Sequence, residues 1–557
     1  MNESGEVLYA EALERQLQNK IAWDISPVGM FIFMTSLLRR YHQSNTEWKV
    51  GLTWQFDVKN TLQGPEDFKE ISLDPAPNPY AIPDEKWGQW MMSMQRNYLK
   101  RLHHLLPFTI SAATGQANIN LQCFDHHLTH AANAAYFYNG PQPALIIIVD
   151  GEGEVGSLSC YRLENHKISR ISRSWGPGSI GGFYGTVTNL IGFDLRKGEE
   201  WKLMGLSAYG SFDGSVYEDL KPLLSLKNGK ILPPDENVRR AILAKYSTLT
   251  PRFKESPILA ANVAFVAQRI FEETMRELVL FYREKTGLRN LIIGGGCALN
   301  SRFNGLLSEE GHFDSIFVPP APGDDGNAIG AAVLLREEEN PDSCLASPQF
   351  KSPYLGNEMK TDVLERFIRE YPNVTSHPTV EAMLEEVADA LVHGKLVAWV
   401  QGRAEFGPRA LGNRSILANP ALSDIKDTLN SKVKFREEYR PFAPAIMHEF
   451  GEEWFNHYSS WPYMSGAISW RPNECGRVPG VVHCDQTGRV QSVTEETNPR
   501  FYNLIKTFHS QTGIPILLNT SLNVMGKPIV NSVEDAIGVF LTSGLDLLVI
   551  DTHVFKK

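Results

Sequence analysis

Residues 144–163 read ALIIIVDGEGEVGSLSCYRL: an apolar run that stops at Asp150, a glycine-punctuated turn, and a second stretch alternating apolar with polar. The turn, GEGEVG at 151–156, satisfies the G-x-G-x-x-G spacing of a dinucleotide fingerprint. That fingerprint requires a helix directly after the glycines, so that the helix N-terminus meets the pyrophosphate. SLSCYRL alternates as a strand does, which refutes the fingerprint and predicts strand, turn, strand, with Asp150 presented at the end of the first strand. A hairpin of this kind suits the phosphate-binding hairpin of an actin-like ATPase fold.

Around it, strand-like runs alternate with helical periodicities, predicting an α/β protein with mixed sheets. At 557 residues the chain exceeds a single ordinary core, so at least two domains are expected. The stretch REEENPDSCLASPQFKSP at 336–353 exchanges apolar periodicity for charge, Pro and Ser, and places the main boundary there. KNTLQGPEDFKEISLDPAPNPYAIPDEKW at 59–87 reads as an irregular insertion, followed by an aromatic helix-like segment from Trp87 to Leu106. PVGMFIFMTSLL at 27–38 is too short to cross a bilayer and reads as a core helix. No secretion signal opens the chain, and the six dispersed cysteines read as reduced, cytoplasmic thiols. A formal charge of −10 argues against a general nucleic-acid binder.

Upstream of the hairpin, DHHLTHAANAAYFY sets His126 and His130 four apart ahead of a helix-favouring run, so one helical face carries both imidazoles while His127 points elsewhere. Carboxylates at the ends of apolar runs, Asp150 and Asp324 of PPAPGDDGNAIGAAVLL, complete a donor set suited to iron, manganese or zinc. Asp325 is the rival ligand, and a helix N-cap is the structural alternative for either aspartate. NLIIGGGCALNSRFNGLL at 290–307 runs from strand through Gly294, Gly295 and Gly296 into a helix, and would offer free amides to a nucleotide phosphate. Two further glycine-rich runs, GSIGGFYGTVTNLIGF at 178–193 and KLMGLSAYG at 202–210, are expected in the same cleft.

In the second half, LVAWV at 396–400 leads into QGRAEFGPRALGNRSIL at 401–417, which gathers Arg403, Arg409 and Arg414 among glycines. Guanidinium forks and glycine-exposed amides are the groups that hold phosphate, with a structural ion-pair cluster as the competing explanation. VKFREEYRPFAPAI at 433–446 adds Lys434, Arg436 and Arg440.

With these residues in place the chain resembles the ATP-dependent O-carbamoyltransferases of antibiotic and nodulation-factor biosynthesis. DHHLTHAA, VDGEGE, EEWKLMGLSAYG, GGGCALN, PGDDGNAIGAA, QGRAEFGPRALGNRSIL, REEYRPFAPAI and LLNTSLNVMGKPIV occur in that family's order. The resemblance implies an actin-like, Kae1-like domain over 1–345, carrying the insertion 59–106, and a YrdC-like α/β domain over 346–557. It implies that the second domain makes carbamoyl adenylate from carbamoyl phosphate and Mg(2+)-bound ATP, and that the first transfers the carbamoyl group to a small hydroxylated natural product at a metal, Fe(2+) or another divalent transition metal. His126, His130, Asp150 and Asp324 would hold that metal. His126, His130, Arg403 and Arg409 would be catalytic, and Gly294, Gly295, Gly296, Asn300, Lys432, Arg436, Arg440, Arg489, Asn519 and Ser521 would bind cofactor or phosphate. ATP, carbamoyl phosphate and the acceptor are the expected partners, with a homodimer as the candidate assembly and neither nucleic acid nor membrane. A threonylcarbamoyl-type tRNA-modifying enzyme and a non-catalytic nucleotide-binding relative are the alternatives. A hydrogenase-maturation relative, which carries acylphosphatase and zinc-finger modules, is disfavoured because no Cys-x-x-Cys appears in this sequence.

Two departures stand out. The family opens with a His-bearing strand-turn-strand, whereas this sequence starts at the following strand, EVLYAEALERQ, so the hairpin is expected to be missing or its work taken over elsewhere. GDDG at 323–326 places a spare carboxylate, Asp325, where the family has alanine.

Overall fold

The computed structural model describes residues 1–557 except 3, 19–26, 44–45, 55–104, 117–118, 341–344, 346–350, 360 and 438. The insertion 59–106 therefore lies almost wholly outside the described residues. The strands are β1 (Lys49–Leu52), β2 (Asn120–Cys123), β3 (Ala144–Val149), β4 (Leu158–Glu164), β5 (Lys167–Arg173), β6 (Ser225–Lys227), β7 (Lys230–Leu232), β8 (Asn290–Gly294) and β9 (Ser315–Phe317) in the first half. The second half contributes β10 (Val374–Ser376), β11 (Val397–Val400), β12 (Arg414–Ala418), β13 (Ala443–Met447), β14 (Ala467–Ser469), β15 (Thr487–Arg489), β16 (Gln491–Val493), β17 (Ile516–Ser521), β18 (Leu547–Ile550) and β19 (His553–Lys556).

Two sheets organise this mixed α/β molecule. The first runs β5-β4-β3-β8-β9, with β3 antiparallel to β4 and parallel to β8. The second runs β10-β19-β18-β11-β12-β17-β13-β16. β3 is buried along its whole length because it is covered on both faces. Ile146 and Ile148 pack against Ala131, Ala134 and Ala135 of the helix His126–Phe137, while Leu145, Ile147 and Val149 join the core that contains the helix Ala261–Thr286. This two-sided burial is why ALIIIV reads as a continuous apolar run and SLSCYRL as an alternating one.

The helix His126–Phe137 lies against the helix Asn327–Glu339 at a contact where Gly330 has no room for a side chain: a Cβ there would stand 1.8 Å from the Thr129 carbonyl oxygen. That approach carries the GDDG turn onto the first turn of the histidine helix. The halves meet as closely at Gly407, where a Cβ would lie 2.2 Å from the Pro320 carbonyl oxygen and φ is +113°.

The segment 6–12 forms no strand, contrary to the sequence reading. It crosses from one half to the other as an extended strap followed by the short helix Leu13–Leu17. Val7 packs with Tyr136, Ile329, Leu355 and Phe406, Ala10 donates its amide to the Leu355 carbonyl, and Arg15 donates to the carbonyls of Glu405 and Gly407. The stretch 27–38 lies in the helix Pro27–Tyr41, and no helix among the described residues is long and apolar enough to cross a membrane.

Candidate functional site

Asp125 caps the helix His126–Phe137 by accepting from the Leu128 amide, which fixes the first turn and aims His126 and His130 along one face. Asp150 stands where β3 ends. Its Oδ1 accepts from the amides of Gly151 and Gly296 at 2.8 and 3.0 Å, and its Oδ2 faces His126 Nε2 at 3.3 Å and His130 Nε2 at 2.9 Å. Asp324 Oδ1 lies 3.6 and 3.4 Å from the same two nitrogens. One donor atom from each of the four residues falls within 4.8 Å of all the others. Donors about 2 Å from a common ion are mutually spaced by roughly 3 Å, so the set fits a divalent transition metal.

The surroundings support that fit. His126 Nδ1 lies 3.2 Å from the Thr53 carbonyl, the outer partner expected of a ligating imidazole, and the Trp54 ring stacks on His126 with centroids 4.1 Å apart. Burial opposes charge on both histidines, yet Asp150 and Asp324 raise their pKa, that of His126 most. Burial likewise opposes charge on Asp150, and the two imidazoles nonetheless hold it well below the usual carboxylate range. The Asp324 side chain is 70% exposed, which leaves one side of the donor set open to the cleft.

Asp325 lies outside the four-residue set. Burial, Glu14 and Asp324 push its pKa up to about 6. His127 turns away as its helical position requires: Nδ1 lies 2.8 Å from Ser159 Oγ, and burial keeps the ring neutral, with a pKa of about 3. Glu154, which sequence reasoning passed over although it sits in the quoted turn, is buried and accepts from the His126 amide at 2.8 Å. Burial and Asp125 push it up to about 7. Nothing in the sequence singled out Trp54.

The glycine run 294–296 does other work than expected. The Gly295 amide donates to Pro322 and the Gly296 amide to Asp150, so neither is free for a phosphate. Gly295 has φ +83°, and a Cβ on it would lie 2.3 Å from the Val149 carbonyl oxygen, so glycine is what lets β8 turn beside the end of β3. Gly294 ends β8 inside the sheet, in register with Ile148. Asn300 caps the helix Ser301–Glu309 and exchanges hydrogen bonds with Gln268, which makes it a structural residue. The run 178–193 does reach the hairpin: Ser179 donates to the Gly151 carbonyl at 2.7 Å.

The arginine loop divides into two kinds of residue. Arg403 donates to the carbonyls of Gly356, Leu8 and Leu355, and Arg414 to those of Gln401, Asn413, Asn357 and Gly402. Both guanidiniums bind backbone, Arg414 through both terminal nitrogens and Arg403 through Nε and Nη2, which gives Arg403 a structural role whatever its Nη1 meets. Arg409, Arg436, Arg440 and Arg489 lie near enough for their charges to act on one another, and Arg436 also donates to Asn430 and to the Pro441 carbonyl. Burial lowers Arg489 well below its ordinary value, with Arg409, Arg436 and Arg440 adding to the effect. Burial and Arg440 lower Arg409 to about 10 and Arg436 to about 9, values that still leave both charged at neutral pH.

Lys434, rather than Lys432, reaches Ser521. The buried Lys434 ammonium donates to Ser521 and Asn523, whereas Lys432 is exposed on the preceding turn. Asn519, 1% exposed, donates to the Ala410 carbonyl and to Gln491, which ties β17 to the loop carrying Arg409.

Two family models, carbamoyltransferase N-terminus and carbamoyltransferase C-terminus, match residues 84–333 and 388–557. The chain belongs to the carbamoyltransferase family. This carbamoyltransferase is 34% identical to the nodulation protein NolO of Bradyrhizobium diazoefficiens, over 78% of this chain and 79% of that protein. It is 32% identical to the 3'-hydroxymethylcephem-O-carbamoyltransferase of Amycolatopsis lactamdurans, over 76% of this chain and 79% of that enzyme. A crystal structure of full-length HypF in the phosphate- and nucleotide-bound form overlaps 42% of the carbamoyltransferase at 14% identity with a TM-score of 0.30, too slight a likeness to carry an argument.

Proposed function

We propose that this carbamoyltransferase uses ATP and carbamoyl phosphate to form carbamoyl adenylate among Arg409, Arg436, Arg440 and Arg489, and passes the carbamoyl group to a hydroxyl of a small natural product beside His126, His130, Asp150 and Asp324. The reading rests on one observation: a single chain carries a four-donor set and, separately, a group of four mutually repelling arginines. Like charges held together in a partly buried place cost stability unless an anion joins them, and phosphates meet guanidinium forks best. The order β5-β4-β3-β8-β9, antiparallel hairpin then parallel crossovers, supports an actin-like first domain over 1–345, and a YrdC-like domain over 346–557 follows from the resemblance alone.

The steps balance as follows. Water releases inorganic phosphate from carbamoyl phosphate and leaves carbamate. A carbamate oxygen bonds to the α-phosphorus of Mg(2+)-bound ATP, and pyrophosphate departs. The acceptor oxygen then attacks the carbamoyl carbon, AMP leaves with the bonding pair, and the hydroxyl proton goes to a base. Four arginines offset the charge that gathers on the phosphate oxygens as pyrophosphate leaves. His126, His130, Asp150 and Asp324 would hold a divalent transition metal, iron for preference, which would supply Lewis acidity to carbonyl and phosphate oxygens. His127 is committed to Ser159, and a Cβ on Gly153 would stand 2.7 Å from its Nε2, which leaves Asp325, open to the cleft, as the better placed base.

The test is to incubate the purified chain with ATP, carbamoyl phosphate and a panel of hydroxylated compounds, following pyrophosphate, AMP and carbamoyl mass gain. Pyrophosphate release that requires carbamoyl phosphate, with AMP matching carbamoylated product, is expected. Pyrophosphate release indifferent to carbamoyl phosphate would overturn the reading.

A further inference from the structure

The helix Glu200–Ser207 of the first half meets Glu437 and Arg440 of the second. The Arg440 guanidinium carbon lies 3.8 Å from the centre of the Trp201 ring, an on-face cation–π contact. Lys202, the next residue, reaches Glu199 at 2.9 Å and Glu437 Oε1 at 3.0 Å. Glu437 Oε2 stands 3.6 Å from Arg440 Nη1, a long ion pair made through one oxygen. Among the described residues Glu437 is the one carboxylate in ion-pair range of the four arginines. Lys202 and Glu437 are both mostly buried, so their attraction is only weakly screened.

These contacts set up a competition. Released from Lys202, the carboxylate would close from this long one-oxygen pair to a forked pair with Arg440 and occupy the donors an incoming phosphate needs. The lysine holds that carboxylate on its other oxygen, and the indole face seats the guanidinium without using any of its N–H groups.

We propose that Lys202 is a positioning residue for the anion site: by retaining Glu437 it keeps Arg440 open, and with Trp201 it makes the first half complete the phosphate-binding site of the second. This rests on the reading of the arginine group as an anion site. Neither residue touches the phosphate; they act through Arg440.

The test measures inorganic pyrophosphate binding to the full chain by calorimetry, alongside ATP consumption. Lys202→Met is expected to weaken pyrophosphate roughly 10-fold, the scale of one charge-assisted contact. Adding Glu437→Gln to Lys202→Met should restore binding, which loss of a merely structural contact would not do. Trp201→Phe should bind better than Trp201→Ala. Unchanged binding in Lys202→Met, or no recovery in the double variant, overturns the proposal. If Lys202→Met does not fold, Glu437→Gln alone decides: binding at least as tight as the parent chain supports the proposal, and weaker binding overturns it. A parent chain that binds pyrophosphate but consumes no ATP removes the adenylate-forming reading and leaves this inference standing. A parent chain that binds no pyrophosphate removes both.

Discussion

Arg403 and Arg409 share one loop, yet their surroundings give them opposite uses. Arg403 ends on three backbone carbonyls contributed by the strap and by residues 355–356, so Arg403→Ala would take a charged donor from each of them, leaving the Leu355 carbonyl only the Ala10 amide. We expect it to lower stability by about 1.5–3 kcal/mol, read as a fall in melting temperature, with the anion site unaltered in the folded fraction. Arg489→Ala should do the reverse: melting unchanged or raised by relief of like-charge repulsion, and carbamoyl-phosphate-dependent pyrophosphate release down by at least about 10-fold. Equal losses of stability in the two variants would contradict this division. His130→Ala should abolish metal content, measured by elemental analysis, and acceptor carbamoylation, while pyrophosphate release continues; parallel loss of both half-reactions would show that the two sites are not separable. Residue types were legible in the sequence at this scale, since histidines four apart and strand-end aspartates announce a donor set. The partner of each arginine was not, because a guanidinium facing carbonyls and one facing an anion are spelled alike.

At the scale of elements, the hairpin β3–β4 was readable because burial on two faces and burial on one face write different patterns. The glycine run after β8 was misread for a related reason. Gly295 and Gly296 mark a backbone that approaches something closely, and sequence could not say that the neighbour is the end of β3 and the Asp150 carboxylate instead of a phosphate. Gly295→Ala combines a left-handed φ with a collision against the Val149 carbonyl and should cost about 2 kcal/mol or more. Because Gly296 donates to Asp150, the same variant should also lose metal affinity, measured by competition with a chelator. Loss of stability with unchanged affinity would mean that the turn does not orient the carboxylate.

For the whole molecule, composition and length raised the expectation of at least two domains but could not say how distant segments meet, because contacts between them leave no periodic trace; one hydrophobic cluster runs from Leu145 and Ile293 to Leu517 and Phe555. His483 belongs to one such contact, its ring 6.1 Å from that of Tyr209. Burial, with Lys426, Arg302 and Arg489 nearby, lowers its pKa to about 4. A histidine depressed in the fold is protonated first in the unfolded chain, whose pKa is about 6.5, so folding is undisturbed above that value and loses stability as pH falls from about 6.5 towards 4. The loss approaches roughly 3 kcal/mol at the lower limit. Denaturant midpoints across that range should flatten in His483→Gln, and an unchanged profile would assign the acid sensitivity elsewhere.

The strap near the N-terminus has a consequence for how the chain is made. Arg15 is held by carbonyls 390 and 392 residues further on, and the Gln18 carbonyl accepts from Lys527, 509 residues away. The strap thus finds its full set of partners only after segments far downstream of it have been made. During synthesis the strap is only partly seated, by Tyr136 and Ile329, until residues 355–407 have emerged, and Gln18 waits for Lys527. Stalled nascent chains that stop short of residue 400 should be cut by protease within residues 6–18, and full-length released chains should be protected there.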